Sequence, residues 1–217
     1  MSNKRACGVC IVNFPPEYCP YCGAELDDAD PDWIEGDAGV PAAPARSKEV
    51  GETDLSRGVW HCEDCDDFVF DNPCPGGSVA VVDREEAALL LVEDFRHENG
   101  WKLPSGRMEY GESPTEGAIR ELTEETGLTV DADDLRYAHD TASEPVEDMH
   151  LSNVTFAVER ALTEGPVEAG DDAVDAQFWT ADKFAASDAT FTDTHVDRFG
   201  TDSFEWLFEV VSEPLAE

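Results

Sequence analysis

Apolar and polar stretches alternate along the second half of the chain in a way that predicts a domain of strands and helices. Residues 78–82 and 87–92 are almost entirely apolar, and the polar residues 83–86 between them are typical of a turn. Residues 150–158 and 174–180 are also predicted to be strands.

One later stretch carries the start and stop signals of a helix. Ser113 is suited to be the N-cap, Pro114 suits the first helical position, and Glu116 lies where a capping box needs an acid. Gly127 is typical of the residue that ends a helix. A last helix is predicted near residues 195–211. This mixed order predicts an α+β or α/β sandwich, whereas a doubly wound parallel sheet fits less well because crossover helices are missing.

The N-terminal part of the chain has a different composition and is predicted to form a separate module. Residues 1–26 contain two Cys-x-x-Cys pairs, and residues 27–55 are rich in Asp, Ala, Gly and Pro without sustained periodicity, which is typical of a long loop. A third Cys-x-x-Cys pair follows this loop. The predicted domains are a small module over residues 1–75 and an α/β domain over residues 76–217.

Acidic residues dominate the composition. The chain has 14 Lys and Arg against 50 Asp and Glu, which gives a formal net charge of −36 at pH 7. A surface with so many acidic residues is suited to a cytosol with molar salt, where charges more than a few ångströms apart are screened. The composition therefore predicts a halophile's protein, with an acidic protein from an ordinary cytosol as the alternative.

The same charge argues against unaided binding to nucleic acid or to an anionic membrane surface. No apolar run approaches the length of a membrane span, and the cations near Met1 are not followed by the apolar stretch of a signal peptide. We therefore expect a cytoplasmic protein whose seven cysteines are reduced, so that metal binding outranks disulfide formation.

Three glutamates lie on one face of the predicted helix, because Glu121, Glu124 and Glu125 are spaced i, i+3 and i+4. Carboxylates so close together repel one another unless positive charge lies among them, and Mg²⁺ or Mn²⁺ is the natural partner for such oxygen ligands. A solvated acidic face is the alternative. A separate stripe suited to packing against a sheet consists of Ala118, Ile119, Leu122 and Thr126.

Residues 106–128 resemble the signature of the Nudix hydrolases, G-x5-E-x7-R-E-U-x-E-E-x-G-U, where U is bulky and apolar. The matching positions are Gly106, Glu112, Arg120, Glu121, Leu122, Glu124, Glu125, Gly127 and Leu128. The resemblance implies an α/β/α sandwich around a mixed sheet. It also implies an enzyme that uses a divalent cation to hydrolyse a nucleoside diphosphate linked to another moiety.

The resemblance further implies a role for each matched residue. Glu112 and Arg120 would order the loop and the surroundings of the metal, and Gly106 would contact the substrate. The cation would activate a water for attack on phosphorus, and a glutamate would take the proton of that water. The implied ligands of Mg²⁺ or Mn²⁺ are the carboxylates of Glu121, Glu124 and Glu125 and the carbonyl of Ser105.

Two further expectations concern residues around the signature. The general base lies either within the signature or in a later loop, where Glu144 and Glu147 are candidates. The stretch before the signature reads Leu-Pro-Ser-Gly where the family usually has Leu-Pro-Gly-Gly, so Ser105 should be strained if its position needs a positive φ. Arg120 is expected to reach back to Glu112 in an ion pair.

Two Cys-x-x-Cys pairs can bind one Zn²⁺ tetrahedrally in a closed structural site. One choice joins Cys7 and Cys10 to the second pair. The preferred choice resembles the zinc ribbon that precedes some Nudix domains, including the NADH-pyrophosphatase group. Its Zn²⁺ ligands are Cys19, Cys22, Cys62 and Cys65. Cys74 is predicted to be an ordinary small buried residue.

The substrate is expected to be ADP-ribose or a similar nucleoside diphosphate sugar. The S-Q-P-W-P-F-P-x-S stretch of the NADH-preferring group is absent, whereas Pro145 lies near the position where Nudix ADP-ribose pyrophosphatases tend to carry a proline. Arg96 resembles an arginine that those enzymes present to their substrate, with a surface ion pair as the alternative. Trp101 and Trp179 could stack an adenine, although aromatic residues in strands are more often core.

A second class of function stays open, namely a Nudix fold that senses a nucleotide metabolite while its zinc ribbon contacts a protein or nucleic acid. The complete set of carboxylates favours catalysis, because a sensor does not need all of them. Dimers are common in the family, so the resemblance is compatible with a homodimer.

Overall fold

The computed structural model describes residues 73–109, 111–146, 149–170 and 173–216, and before them only the backbone of three short strands. The chain divides into two compact units, Met1–Pro73 and Cys74–Glu217. The described strands of the first unit form an antiparallel sheet in the order β1-β2-β3. Their bounds are Asp27–Asp28 for β1, Val59–Cys62 for β2 and Asp67–Phe70 for β3. The side chains of the six paired cysteines lie outside the described residues.

The second unit is built on an eight-stranded mixed sheet. Its strands are β4 (Cys74–Asp83), β5 (Ala88–Asp94), β6 (Gly100–Lys102), β7 (Ser105–Arg107), β9 (Arg136–Val146), β10 (Met149–Glu159), β12 (Ala173–Thr180) and β13 (Thr190–Phe191). The order is β13-β6-β5-β4-β10-β9, with β12 paired to β5 and β7 paired to β4. The β4–β10 and β6–β13 pairs are parallel and the others antiparallel, which confirms the mixed sheet. A separate pair joins β8 (Thr129–Val130) to β11 (Thr163–Glu164).

Helices cover both faces of the sheet. Their bounds are Pro114–Thr126 for α1, Ala181–Ala185 for α2, Asp193–Phe199 for α3 and Phe204–Ser212 for α4. Ala118 and Leu122 of α1 pack against Val79 and Val81 of β4. The alternate residues of β4 face the other side and pack in a cluster with Phe184, Phe199 and Leu207 from α2, α3 and α4. No helix in the described part is long and apolar enough to cross a membrane.

The structure corrects two boundary predictions and adds strands that were not predicted, namely β6, β7, β8, β9, β11 and β13. Two helices replace the single one predicted over residues 195–211, because Gly200 ends α3 in the left-handed conformation and Ser203 caps α4. Ala87 has a φ of 50° and belongs to the turn, so β5 begins one residue later than predicted. Strand β9, which pairs with β10 over most of its length, was not predicted. The four predicted strands are otherwise confirmed, and Cys74 is a buried free thiol as expected.

Candidate active site

The ends of α1 are fixed by the residues that predicted them. Ser113 Oγ accepts a hydrogen bond from the backbone of Glu116 (3.3 Å), and the Glu116 carboxylate accepts one from the backbone of Ser113 (2.9 Å). Pro114 opens the helix, and Gly127 ends it with a φ of 74° and a hydrogen bond to the carbonyl of Thr123. The predicted helix and both of its caps are confirmed. Fixed ends hold the side chains between them in register.

The helix buries the predicted apolar stripe and also one of its glutamates. Ala118, Leu122 and Thr126 are fully buried against the sheet. Glu125 is only 2% exposed, although it belongs to the acidic face. This face is therefore not uniformly solvated, which argues against a surface role for the whole set.

Glu125 is held by a backbone amide and a lysine. Its carboxylate accepts hydrogen bonds from the amide of Ser105 (2.8 Å) and from Nζ of Lys102 (2.5 Å). Lys102 also donates to the carbonyl of Ser105 (3.0 Å). Burial raises the pKa of Glu125 to about 7, because desolvation outweighs the attraction of Lys102. A positive charge brought to this carboxylate would offset the cost of its burial.

Arg120 gathers the other acidic residues of the signature. Its guanidinium donates to Glu112 (2.8 and 3.0 Å), to Glu121 (2.8 Å) and to Glu124 (2.8 Å). A further hydrogen bond reaches the carbonyl of Arg107 (2.8 Å). These bonds raise the pKa of Arg120 above its ordinary value, so the residue is charged at any physiological pH. One side chain thus connects α1 to the loop before it.

Glu112 completes that connection. The expected ion pair with Arg120 is confirmed, and it lowers the pKa of Glu112 together with a hydrogen bond from the amide of Glu109 (2.7 Å). Glu112 therefore remains a carboxylate and fixes the loop against the helix.

Gly106 lies directly against Glu121. A Cβ added to Gly106 would lie 2.0 Å from Cδ of Glu121, so only glycine leaves room for this carboxylate. Burial raises the pKa of Glu121, and Arg120 opposes that shift. The expectation of strain at Ser105 is wrong, because among the described residues other than glycine only Ala87 and Asn99 have a positive φ. Ser105 instead lies in a regular strand paired with Ser78.

The donor set is suited to a hard divalent cation, although its oxygens have other partners here. Among the described residues, no three His, Cys, Asp or Glu side chains converge on one point as a metal site requires. Arg120 holds Glu121 and Glu124, while Lys102 holds both Glu125 and the Ser105 carbonyl. Two cationic side chains therefore supply the positive charge that the three carboxylates need. These oxygens suit Mg²⁺ or Mn²⁺ chemically, because hard cations prefer carboxylate and carbonyl ligands.

The predicted residues outside the signature lie in varied surroundings. Arg96 pairs with Asp94 (3.7 Å) and lies 4.3 Å from the centroid of the Phe95 ring. Trp101 and Trp179 are buried core residues in edge contact at 4.9 Å, so adenine stacking on them is not supported. The side chains of Glu144, Pro145 and Glu147 lie outside the described residues.

Sequence reasoning missed two features near the signature. Lys102, one of four lysines in the chain, holds Glu125; its rarity in so acidic a chain was the available signal. Ser78, Asn153 and Thr155 form a buried polar cluster in which Ser78 Oγ lies 2.8 Å from Thr155 Oγ1 and donates to Asn153 Oδ1 over 3.2 Å. Their strands read as apolar overall, so no sequence signal distinguished them.

Comparisons with known proteins agree with this geometry. The sequence profile of the NUDIX domain matches residues 75–199. An ADP-ribose pyrophosphatase of Methanocaldococcus jannaschii is 32% identical over 111 residues, which cover 48% of this chain and 62% of that protein. The NAD-capped RNA hydrolase NudC of Shigella flexneri is 27% identical over 133 residues, which cover 60% of this chain and 40% of that protein. The chain thus spans less than two thirds of the length of these curated relatives.

Solved structures show the same fold. The crystal structure of a MutT NUDIX hydrolase from Burkholderia pseudomallei matches with a TM-score of 0.50 at 16% identity. The match covers 64% of this chain and 98% of that one. At this identity the likeness concerns the fold alone.

Proposed function

Since the chain belongs to the Nudix family, whose profile matches residues 75–199, we propose that it hydrolyses the diphosphate bond of a nucleoside diphosphate derivative. The observation that carries the proposal is that Arg120 binds Glu121 and Glu124 and Lys102 binds Glu125, with Gly106 directly beside Glu121. A diphosphate is multiply anionic, so water attacks phosphorus readily only where positive charge compensates the phosphate oxygens.

The residues proposed to hold Mg²⁺ or Mn²⁺ are Glu121, Glu124 and Glu125 with the carbonyl of Ser105. When bound, the cation would compensate the phosphate charge and activate the attacking water. The raised pKa of Glu125 supports this assignment, because a buried carboxylate gains most from a nearby positive charge.

The chain's own residues prepare this arrangement. Lys102 and the amide of Ser105 fix the direction of Glu125, and the missing side chain of Gly106 leaves room for Glu121. Arg120 ties Glu112 to the helix, so the loop and the carboxylates move as one unit. Preorganised charges of this kind contribute more to rate than groups that must rearrange during the reaction.

ADP-ribose is the substrate we propose among nucleoside diphosphate derivatives. The relative from Methanocaldococcus jannaschii is named an ADP-ribose pyrophosphatase, and the motif of the NADH-preferring group is absent from this sequence. Arg96 stays a proposed phosphate contact; its pairing with Asp94 is equally compatible with a surface role.

The direct test is product analysis with the purified chain, Mg²⁺ and high KCl. Hydrolysis of ADP-ribose adds water across the P–O–P linkage and yields AMP and ribose 5-phosphate. NADH and UDP-glucose serve as comparison substrates and should be turned over more slowly. If no nucleoside diphosphate derivative is hydrolysed with either Mg²⁺ or Mn²⁺, the sensing role replaces the enzymatic one.

A structural Zn²⁺ in the N-terminal unit is a separate proposal. The register pairs Asp27 with His61, so residues that follow Cys22 by a few positions lie beside the strand that ends at Cys62. This pairing favours the site made of Cys19, Cys22, Cys62 and Cys65. Metal analysis should find about one zinc per chain that a mild chelator leaves in place. Cys22→Ser should lose it and Cys10→Ser should keep it; two tight zincs would contradict the assignment.

We further propose that the protein works in a salt-rich cytoplasm. The support is the net charge of −36, which would repel itself at low ionic strength.

A further inference from the structure

Arg198 lies near the C-terminal end of α3, which packs against strand β9. The next residue, Phe199, stacks on His139 of β9 with 6.0 Å between the ring centroids. His139 is the register partner of Thr155 on β10, and directly paired residues share one face of a sheet. The end of α3 therefore covers the sheet face that carries Thr155.

That sheet face becomes polar beside the signature. Ala80 and Ala157 belong to the core cluster that contains Phe199. Ser78 lies two residues before Ala80 on β4, and Thr155 lies two residues before Ala157 on β10, so both side chains are on this same face. Their hydroxyl oxygens are 2.8 Å apart. Ser78 is in turn the register partner of Ser105, whose amide holds Glu125. The start of α3 lies beside the signature by another route: the amide of its N-cap Thr192 donates to the carbonyl of Trp101 (3.1 Å), and the next residue, Lys102, holds Glu125.

Arg198 has no partner in the part of the chain that the structure describes. No described carboxylate or carbonyl accepts a hydrogen bond from its guanidinium, although the chain has 50 Asp and Glu against 14 Lys and Arg. The side chain is only partly exposed. Burial lowers the pKa of Arg198 to about 10, while the nearby charge of Glu125 opposes the shift. The nitrogens of Arg198 are not among the fully buried polar atoms that lack a partner in the described residues, so the guanidinium is open to a ligand.

The two cationic side chains that contact the signature carboxylates, Arg120 and Lys102, already donate hydrogen bonds to groups of the protein. All of Arg120's guanidinium nitrogens donate to signature carboxylates or to the Arg107 carbonyl. Lys102 donates to Glu125 and to the Ser105 carbonyl. Arg198 is by contrast a planar donor set near Glu125 with its hydrogen bonds unmade, and a phosphate group matches such a fork.

We propose that Arg198 binds phosphate oxygens of the diphosphate substrate, so that the substrate bridges the signature helix α1 and helix α3. This role rests on the proposed function and adds a substrate-binding residue that lies far from the signature in sequence.

The test compares Arg198→Gln and Arg198→Lys with the parent in ADP-ribose hydrolysis at high KCl. A contact made equally in the ground state and the transition state should raise KM roughly 10- to 100-fold for Arg198→Gln and leave kcat within about twofold. Arg198→Lys should lie between, because lysine keeps the charge and loses the fork. Arg136→Gln is the matched control, since this exposed arginine donates only to nearby backbone carbonyls, and its KM should not change.

A second readout separates binding from folding. Millimolar guanidinium should restore a low KM to Arg198→Ala if the guanidinium contacts substrate, whereas it should not rescue a packing defect. An unchanged KM in Arg198→Gln, or a loss of kcat alone without rescue by guanidinium, would overturn the proposal.

Titration with inorganic pyrophosphate keeps this proposal distinct from the proposed function. If the parent hydrolyses ADP-ribose and Arg198→Gln binds pyrophosphate as tightly as the parent does, only the role of Arg198 fails. If the parent turns over none of the tested derivatives, the proposed function fails. Weaker pyrophosphate binding by Arg198→Gln than by the parent would then still support Arg198 as the phosphate-binding residue.

Discussion

At the scale of single residues, Arg120 offsets the electrostatic repulsion between the carboxylates of the signature. Three carboxylates lie within hydrogen-bonding reach of one guanidinium, whose positive charge offsets their mutual repulsion. The signature thus contains both the anions and the cation that stabilises them. A divalent cation would join an arrangement that is already ordered.

Gly106→Ala should impair activity more than stability. The added Cβ would lie 2.0 Å from Cδ of Glu121, whose flexible side chain can move away but then leaves its position. We expect kcat/KM for ADP-ribose hydrolysis to fall by roughly 100-fold with little change in the free energy of unfolding. Gly77→Ala is the contrasting variant, because its Cβ would meet the Pro114 carbonyl at 2.9 Å and should cost about 1–3 kcal/mol of stability. Equal activity in Gly106→Ala and the parent would contradict the assignment of Glu121.

His195 should make the folded state sensitive to mild acid. It is 3% exposed, stacks against Phe191 at 4.3 Å, and has no partner for Nδ1 among the described residues. Burial, with the charges of Arg198 and Lys102, lowers the pKa of His195 well below 6.5. Below about pH 6.5, His195 is therefore protonated in the unfolded chain but stays neutral in the folded chain. The free energy of unfolding should fall as the pH falls, by at most about 1.4 kcal/mol per pH unit.

Chemical unfolding at high KCl between about pH 7 and pH 5.5 measures this effect. His195→Phe keeps an aromatic ring against Phe191 and should flatten the dependence. The exposed His97 provides the control, since His97→Gln should keep the parent's slope. The same slope in His195→Phe and in the parent would show that other groups cause the acid sensitivity.

At the scale of elements, α1 depends on its caps because the first backbone amides of a helix have no acceptor within the helix itself. Ser113→Ala removes the side-chain acceptor for the first turn and should cost about 1 kcal/mol in the free energy of unfolding. Ser113→Asp should keep most of the stability, since aspartate also caps helix starts well. Denaturant titrations of the parent, Ser113→Ala and Ser113→Asp measure these differences. A Ser113→Ala variant as stable as the parent would contradict the importance of this cap.

The elements that sequence reasoning predicted are those with local signals. The first two strands are apolar runs flanked by a polar turn, and α1 has a capping box and a C-terminal glycine. The final helix was predicted as one piece although Gly200 and Ser203 carry the signals for a break. Strand β9 has alternating polar residues and a bulge against β10, so its pairing was decided by the sheet rather than by local pattern.

The candidate site was predictable in the same uneven way. The ion pair of Arg120 with Glu112 follows from the spacing of the signature. The contact of Lys102 with Glu125 and the position of Arg198 depend on chain segments brought together by the sheet. Such contacts leave no periodic trace in one sequence.

At the scale of the whole molecule, the acidic surface should make stability depend on salt. With a net charge of −36, lowering KCl from about 2 M to about 0.1 M lengthens the range over which the acids repel one another, so the melting temperature should fall by several degrees. Replacing the exposed Glu98, Glu168 and Glu209 by Gln should raise the melting temperature at low KCl and change it little at high KCl. Melting temperatures that do not depend on KCl would contradict a salt-adapted surface.

We propose that the carboxylates of α1 hold the divalent cation on which hydrolysis depends. The most direct measurement is the Mg²⁺-dependent rate of ADP-ribose hydrolysis by Glu124→Gln relative to the parent, with Glu209→Gln as a glutamate of another helix that lies outside the site. We expect Glu124→Gln to lose roughly 100-fold or more in kcat/KM while Glu209→Gln matches the parent. Turnover by Glu124→Gln at the parent's rate would show that Glu124 does not hold a cation that hydrolysis needs.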